Sequence, residues 1–290
     1  MVRLSAPLKD SSKHRGFTLI ELVMVIIVLG VVSVSIGGFI RTGLGIYNDV
    51  TERDQLLSES RFVVQRLNRE LRMAVPNSVR VIGNTATQSQ CLEFVPAEWV
   101  SYYTQLPVTP DALTTVNIVE IAGNTAGFVL DSDGITPHHY ALVYPNSAAA
   151  VYGVSGNRQQ ITACVDGGAN TDCASDDDPD NLAKLSVAAT FDDASPASRL
   201  YIVGRTVSYC AIGKRIVRNE GGIQAAQTLY TGGVLMAENL SNVMTDSGQW
   251  PFQVASPSLT RNGLVNMRLS FERNEEIIHF SHEVHIPNVP

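Results

Sequence analysis

One segment decides most of what this chain can become. Residues 17–40 read FTLIELVMVIIVLGVVSVSIGGFI. As an α-helix rising 1.5 Å per residue they would span roughly 36 Å, against a bilayer hydrocarbon core about 30 Å thick. Arg3, Lys9, Lys13 and Arg15 precede the run, against the single acid Asp10. A basic flank of this kind stays cytoplasmic, so the expected orientation exports everything that follows. A secretory signal peptide fits poorly, because its apolar stretch is about 7–15 residues long and ends in a small-residue cleavage site. A plain signal anchor fits the length but leaves two features unexplained. The basic leader ends sharply at Arg15-Gly16-Phe17, and Glu21 is the only charge within residues 17–40. An acid in a spanning helix costs about 2–3 kcal/mol near the centre and less near an end, and marks a functional position.

The stretch Gly16-Phe17-Thr18-Leu19-Ile20-Glu21 resembles the cleavage and methylation motif of type IV prepilins and type II secretion pseudopilins. The resemblance implies that a membrane aspartyl peptidase cuts after Gly16 and methylates the new amine of Phe17. Glu21 would then be an assembly residue, the fifth of the mature chain. Simple electrostatics agrees with those roles. Cleavage leaves a cationic amine in an apolar layer, where it is tolerable only beside an anion, and Glu21 of a neighbouring subunit lies at matching depth. The resemblance further implies a prepilin peptidase, major and other minor pilins, an inner-membrane assembly platform and a separate assembly ATPase as partners. Before assembly the helix would sit in membrane lipid, single-pass, with the globular part in the periplasm; afterwards the subunit would stand in a filament. Residues 1–16 are then a leader, 17–40 the spanning part of a helix, 41–75 its amphipathic part, and 76–290 a β-rich globular region. Many pilins carry a proline beyond the apolar core, where the helix melts on assembly. Here Gly37, Gly38, Gly43 and Gly45 stand instead, each costing a helix about 1 kcal/mol relative to alanine. Melting and close packing through small residues such as Ser33 and Gly37 are both compatible with this pattern.

Thr51-Glu52-Arg53-Asp54 has the form of a capping box ahead of a new stripe, in which Leu56, Val63, Leu67, Leu71 and Ala74 recur at helical spacing. Pro76 disfavours helix at Val75. One long, kinked helix is expected from Phe17 to about Ala74, weak near Gly37 to Gly45. Beyond Ser78 the chain reads as strands. Val265, Met267, Leu269 and Phe271 alternate with polar residues, Arg273-Asn274-Glu275 turns the chain, and Ile278, Phe280, Val284 and Ile286 continue on one face. Tyr201 to Cys210, then Gly213, then Ile216 to Arg218 reads as another hairpin. The expected fold class is α+β: a long N-terminal helix followed by an antiparallel sheet, the pilin-like order.

The segment running from Arg61 to Arg72, RFVVQRLNRELR, is similar to J-type minor pseudopilins and related minor pilins, as is the ending HIPNVP from His285. Together with Cys91-Leu92-Glu93-Phe94-Val95-Pro96, these segments most resemble the O-type minor pilins of mannose-sensitive haemagglutinin (MSHA) pili. In the resembling systems the K-type tip subunit lacks the membrane glutamate. Glu21 therefore implies a place beneath another subunit, in a priming complex of minor subunits.

Other sites are weaker. A net charge of −7 offers no field for nucleic acid. Four cysteines allow three pairings. Export favours disulfides, and the short Gly/Asp/Asn-rich loop that Cys164 and Cys173 bracket favours joining these two, which leaves Cys91 for Cys210. His279, His282 and His285 cannot converge on one ion, since strand side chains alternate faces; His282 is expected toward the core with a hydrogen-bond partner. Asp131 and Asp133, and Asp176 and Asp178, are weak calcium candidates that lack the later ligands of a calcium loop. Asp246-Ser247-Gly248 lacks the glycines of a nucleophile elbow, and no Walker motif occurs. Trp99, Tyr102 and Tyr103 form an aromatic cluster, read as core. No catalytic constellation and no cofactor is expected. A signal-anchored periplasmic enzyme or binding protein is the rival of another class, and it predicts no processing at Gly16.

Overall fold

The computed structural model describes residues 16–120, 139–153, 156–165, 173, 180–255 and 262–287. Two compact units divide at residue 54. The described part of the first is helix. Helix α1 (Leu19–Leu71) runs unbroken for 53 residues, and the backbone stays helical through Gly37, Gly38, Gly43 and Gly45. A Cβ added at any of these four glycines would meet nothing within 4 Å among the described residues. The hydroxyls of this region bond back along the helix. Ser33 donates to the Leu29 carbonyl at 2.7 Å, Ser35 to Val31 at 3.0 Å and Thr42 to Gly38 at 3.1 Å. Polar groups in an apolar layer are thus satisfied without a second chain.

Thr51 does the same toward Tyr47, at 2.8 Å. It lies inside the helix and caps nothing, which corrects the capping box expected at Thr51 to Asp54. The capping pattern was outweighed because α1 arrives there already formed, and propagation adds a bond for each residue fixed.

In the second unit Leu56, Val63, Leu67, Leu71 and Ala74 are all buried, as their spacing predicts. Helix α1 stops at Leu71, close to the expected Ala74. Where Pro76 forbids more helix, the chain finds strand partners: Val75 donates to the Val95 carbonyl and Ala97 to that of Met73.

Among the described residues the remainder is antiparallel β-structure with one short α-helix and one 3-10 turn, in three assemblies rather than the single sheet expected. Strands β1 (Arg80–Asn84) and β2 (Ser89–Phe94) begin a sheet that the chain then leaves. It makes β3 (Trp99–Gln105), β4 (Thr115–Val119), β5 (Tyr140–Val143), α2 (Ala148–Tyr152), β6 (Arg158–Val165), β7 (Leu182–Val187) and β8 (Arg199–Val203). It returns as β9 (Thr206–Ile212), β10 (Arg215–Gly221) and β11 (Val234–Ala237), which complete the first sheet in the order β1-β2-β9-β10-β11. The intervening strands close into a six-stranded barrel, β3-β4-β7-β6-β5-β8, and β12 (Phe252–Ala255), β13 (Gly263–Arg273) and β14 (Glu276–Ile286) form a third sheet. The first arm of the hairpin expected around Gly213, Tyr201 to Cys210, is two strands in different sheets, β8 and β9, parted at Gly204 and Arg205. The hairpin at Gly213 (φ +56°) joins β9 to β10.

One core unites the helix row with Phe94, Tyr209, Leu269 and Phe271; the barrel has its own around Ile118, Leu185, Phe191 and Ile202. Gln90, 1% exposed, ties the first sheet to the third. Its amide donates to the Phe252 carbonyl at 2.7 Å and accepts from the Phe252 N–H at 3.0 Å, as a backbone partner would.

Candidate processing and assembly site

Gly16, Phe17 and Thr18 precede the helix in non-helical backbone, and all three are exposed. A side chain added at Gly16 would meet nothing within 4 Å. The first turn begins at Leu19 because Thr18 caps it. Its hydroxyl accepts the Glu21 N–H at 3.3 Å, and its carbonyl accepts the Leu22 N–H at 3.2 Å. Thr18-x-x-Glu21 is itself the pattern of a capping box. That signal stands in the sequence but is masked there, because the same residues form the cleavage and methylation motif. Glu21 is the acid of the first turn, where the partial positive charge of the helix end favours an anion. Phe17 is 73% exposed, and every residue from Leu19 to Val50 is exposed. The helix is long and apolar enough to cross a membrane, with a best window of mean hydropathy 2.8 that is 0% buried. The arrangement joins an accessible peptide bond after Gly16, an anion one helical turn beyond it, and an uncovered apolar rod.

The other sequence candidates resolve unevenly. Cys91 and Cys210 face each other on β2 and β9 and are bonded, and Cys164 of β6 is bonded to Cys173. Asp131, Asp133, Asp176 and Asp178 lie outside the described residues. Among the described residues no group of three His, Cys, Asp or Glu is placed to hold a metal. His279 and His285 are exposed on one face of β14 and His282 lies on the other. Its Nε2 is buried with no hydrogen-bond partner among the described residues, so the partner expected for it is not found at this atom; it faces Met267 across the ladder. Asp246 caps a single 3-10 turn, accepting from the Gly248 N–H at 2.9 Å. This bond and that from Gln249 hold its carboxyl below the usual range. Trp99 and Tyr103 pack on the barrel core, but Tyr102 is 51% exposed with Arg199 over its ring.

Sequence reasoning also missed a chain of charges that needs the fold to assemble it. Glu70 on α1 meets Arg66 and Arg218, each at 3.0 Å; Arg218 meets Glu220 at 2.7 Å; Arg205 lies 3.3 Å from Glu98, which His139 contacts at 3.2 Å. The bond from Arg218 lowers the Glu220 pKa. Burial, then the nearby Glu70, raises that of Tyr209.

Residues 11–37 match the family described as the prokaryotic N-terminal methylation motif. The match covers Gly16, Phe17, Glu21 and most of the apolar run. No curated protein and no solved structure matches the chain. The chain thus carries the signal of type IV pilin-like and pseudopilin proteins at the head of an α+β fold.

Proposed function

We propose that this chain is a low-abundance pilin subunit of an MSHA-type pilus, cut after Gly16 by a prepilin peptidase, methylated at Phe17 and built into the filament through Glu21. The observation that carries the reading is the coincidence of the methylation motif with the start of an unbroken, uncovered apolar helix. A soluble fold would have to bury such a rod; a membrane before assembly and a helical filament core afterwards both cover it. The peptidase finds a non-helical, accessible bond at Gly16, since the Thr18 cap starts the helix beyond it. In the filament Glu21 pairs with the amine of a neighbouring subunit, and its presence supports a position beneath another one. The two disulfides suit an oxidising compartment outside the cytoplasm. The fold supplies a structural subunit, and the assembly ATPase, platform and other pilins are separate chains. The J-type likeness of residues 61–72 keeps a type II secretion pseudopilin as the second reading, with the same processing chemistry; the neighbouring genes separate the two.

Mass spectrometry of the N-terminus tests the reading directly. The expected result is a chain beginning at N-methylated Phe17, in membranes and in sheared surface filaments. A chain that keeps residues 1–16 intact in both fractions overturns it and restores the signal-anchored alternative.

A further inference from the structure

Where α1 ends, two adjoining clefts of about 430 and 240 Å³ share Met73 and Ala97 as common wall. Met73 is 56% exposed. The floor is apolar, with Phe94, Pro96 and Val207 under the larger cleft and Val100 under the smaller. The rim is cationic. Arg205 and Arg218 are matched by Glu98, Glu70 and Glu220. Three other guanidiniums line the clefts with no carboxylate partner among the described residues: Arg69, Arg72 and Arg199. Arg72 donates to the Asn68 side chain and Arg199 to the Tyr102 hydroxyl, each at 3.3 Å and each a neutral acceptor. The Arg199 Nε is buried without a hydrogen bond among the described residues. In a chain of net charge −7 this is a local reversal of sign.

We infer that this groove receives an acidic segment of a neighbouring subunit, with carboxylates on Arg69, Arg72 and Arg199 and an aliphatic side chain against Met73. The inference rests on the filament reading, which supplies a close-packed neighbour. Charge complementarity selects the occupant. Guanidinium forks match carboxylates in two-point bonds. An apolar floor partly desolvates those bonds and adds contact area, and a methionine adapts its shape to an aliphatic guest. A polyanion such as nucleic acid would meet the negative field of the whole chain.

The test places a photo-crosslinking amino acid at Met73 of the full-length chain, expressed in its own host. Sheared filaments and membranes are then analysed separately. The expected product in filaments is a crosslink to one neighbouring subunit, in a peptide carrying Asp or Glu close to the attachment point. Arg69→Glu and Arg72→Glu should each lower its yield roughly tenfold, since a bond to a charged group contributes at least that factor. Reversing the acid on the partner to Lys should restore it. Both arginines are exposed or part-exposed, and an unchanged melting temperature separates loss of docking from loss of fold. The inference is overturned if the chain is processed and present in filaments, yet Met73 crosslinks only to lipid, or to a peptide without acids, or with equal yield in the charge-reversed variants. A chain neither processed nor found in filaments fails the filament reading itself, and the groove loses its neighbour with it.

Discussion

Glu21 is a carboxylate in the first turn of a helix that is otherwise apolar around it apart from Thr18, and on the proposed reading its role separates from that of Gly16. Glu21→Ala leaves the apolar length intact, so insertion and cleavage continue. On the proposed reading, what would be lost is the partner of a buried ammonium, and an uncompensated member of such a pair costs about 3–5 kcal/mol. Incorporation should fall by orders of magnitude. Glu21→Gln keeps the size and removes the charge, and should fall as far. The measurement is recovery of the subunit in sheared filaments while the precursor-to-mature ratio is followed by blotting; normal recovery of both variants would mean that packing alone holds the helix. Tyr209 offers a second test. Burial, with the Glu70 carboxylate beside it, raises its pKa above the ordinary value of about 10. The folded state therefore holds the phenolic proton more tightly than the unfolded state does. That contribution is fully present below about pH 10 and is lost as pH rises toward the folded value. Tyr209→Phe should change the melting temperature little at pH 7 and should flatten its decline above pH 10. An equally steep decline in the variant would assign the alkaline loss elsewhere, first to Tyr152, whose pKa is also raised by burial.

Helix α1 and the β13–β14 hairpin were the elements most open to reading, and for the same reason: each states its own periodicity over ten residues or more. The buried members of β13 alternate as Val265, Met267, Leu269 and Phe271 predict. The two-residue turn is Asn274-Glu275, with φ of 49° and 66°, between the paired Arg273 and Glu276. Turns of this hand favour glycine at the second position. Glu275→Gly should therefore stabilise the protein by about 0.5–1 kcal/mol, read as a higher midpoint in urea with unchanged slope. A lower midpoint would show that the Glu275 side chain contributes more than its backbone costs. The barrel was not legible, because its strands are short and its pairings distant: β3 closes on β8, with Trp99 opposite Ile202. No local pattern announces that Tyr201 and Tyr209, eight residues apart, face different cores. The site divides in the same way. Gly16, Phe17 and Glu21 form one contiguous motif, whereas Arg69, Arg72 and Arg199 meet only after the chain has travelled through most of the barrel.

The excursion that builds the barrel leaves from Phe94 and returns at Val207, which sit opposite each other as the last pair of β2 and β9. Three pairs further in, Cys91 and Cys210 are bonded, at a sequence separation of 119. This changes how the molecule answers a pull. Tension entering along α1 and leaving near β14 crosses from Cys91 to Cys210 through sulfur. The barrel hangs from the line of force as a side branch and is not stretched by it. Stretched between its ends in an optical trap, the oxidised protein should withhold about 400 Å of contour length that the reduced protein releases. Equal extensions would show that tension reaches the barrel by another route. A chain made this way can be pulled from either end while the barrel built between Phe94 and Val207 keeps its shape.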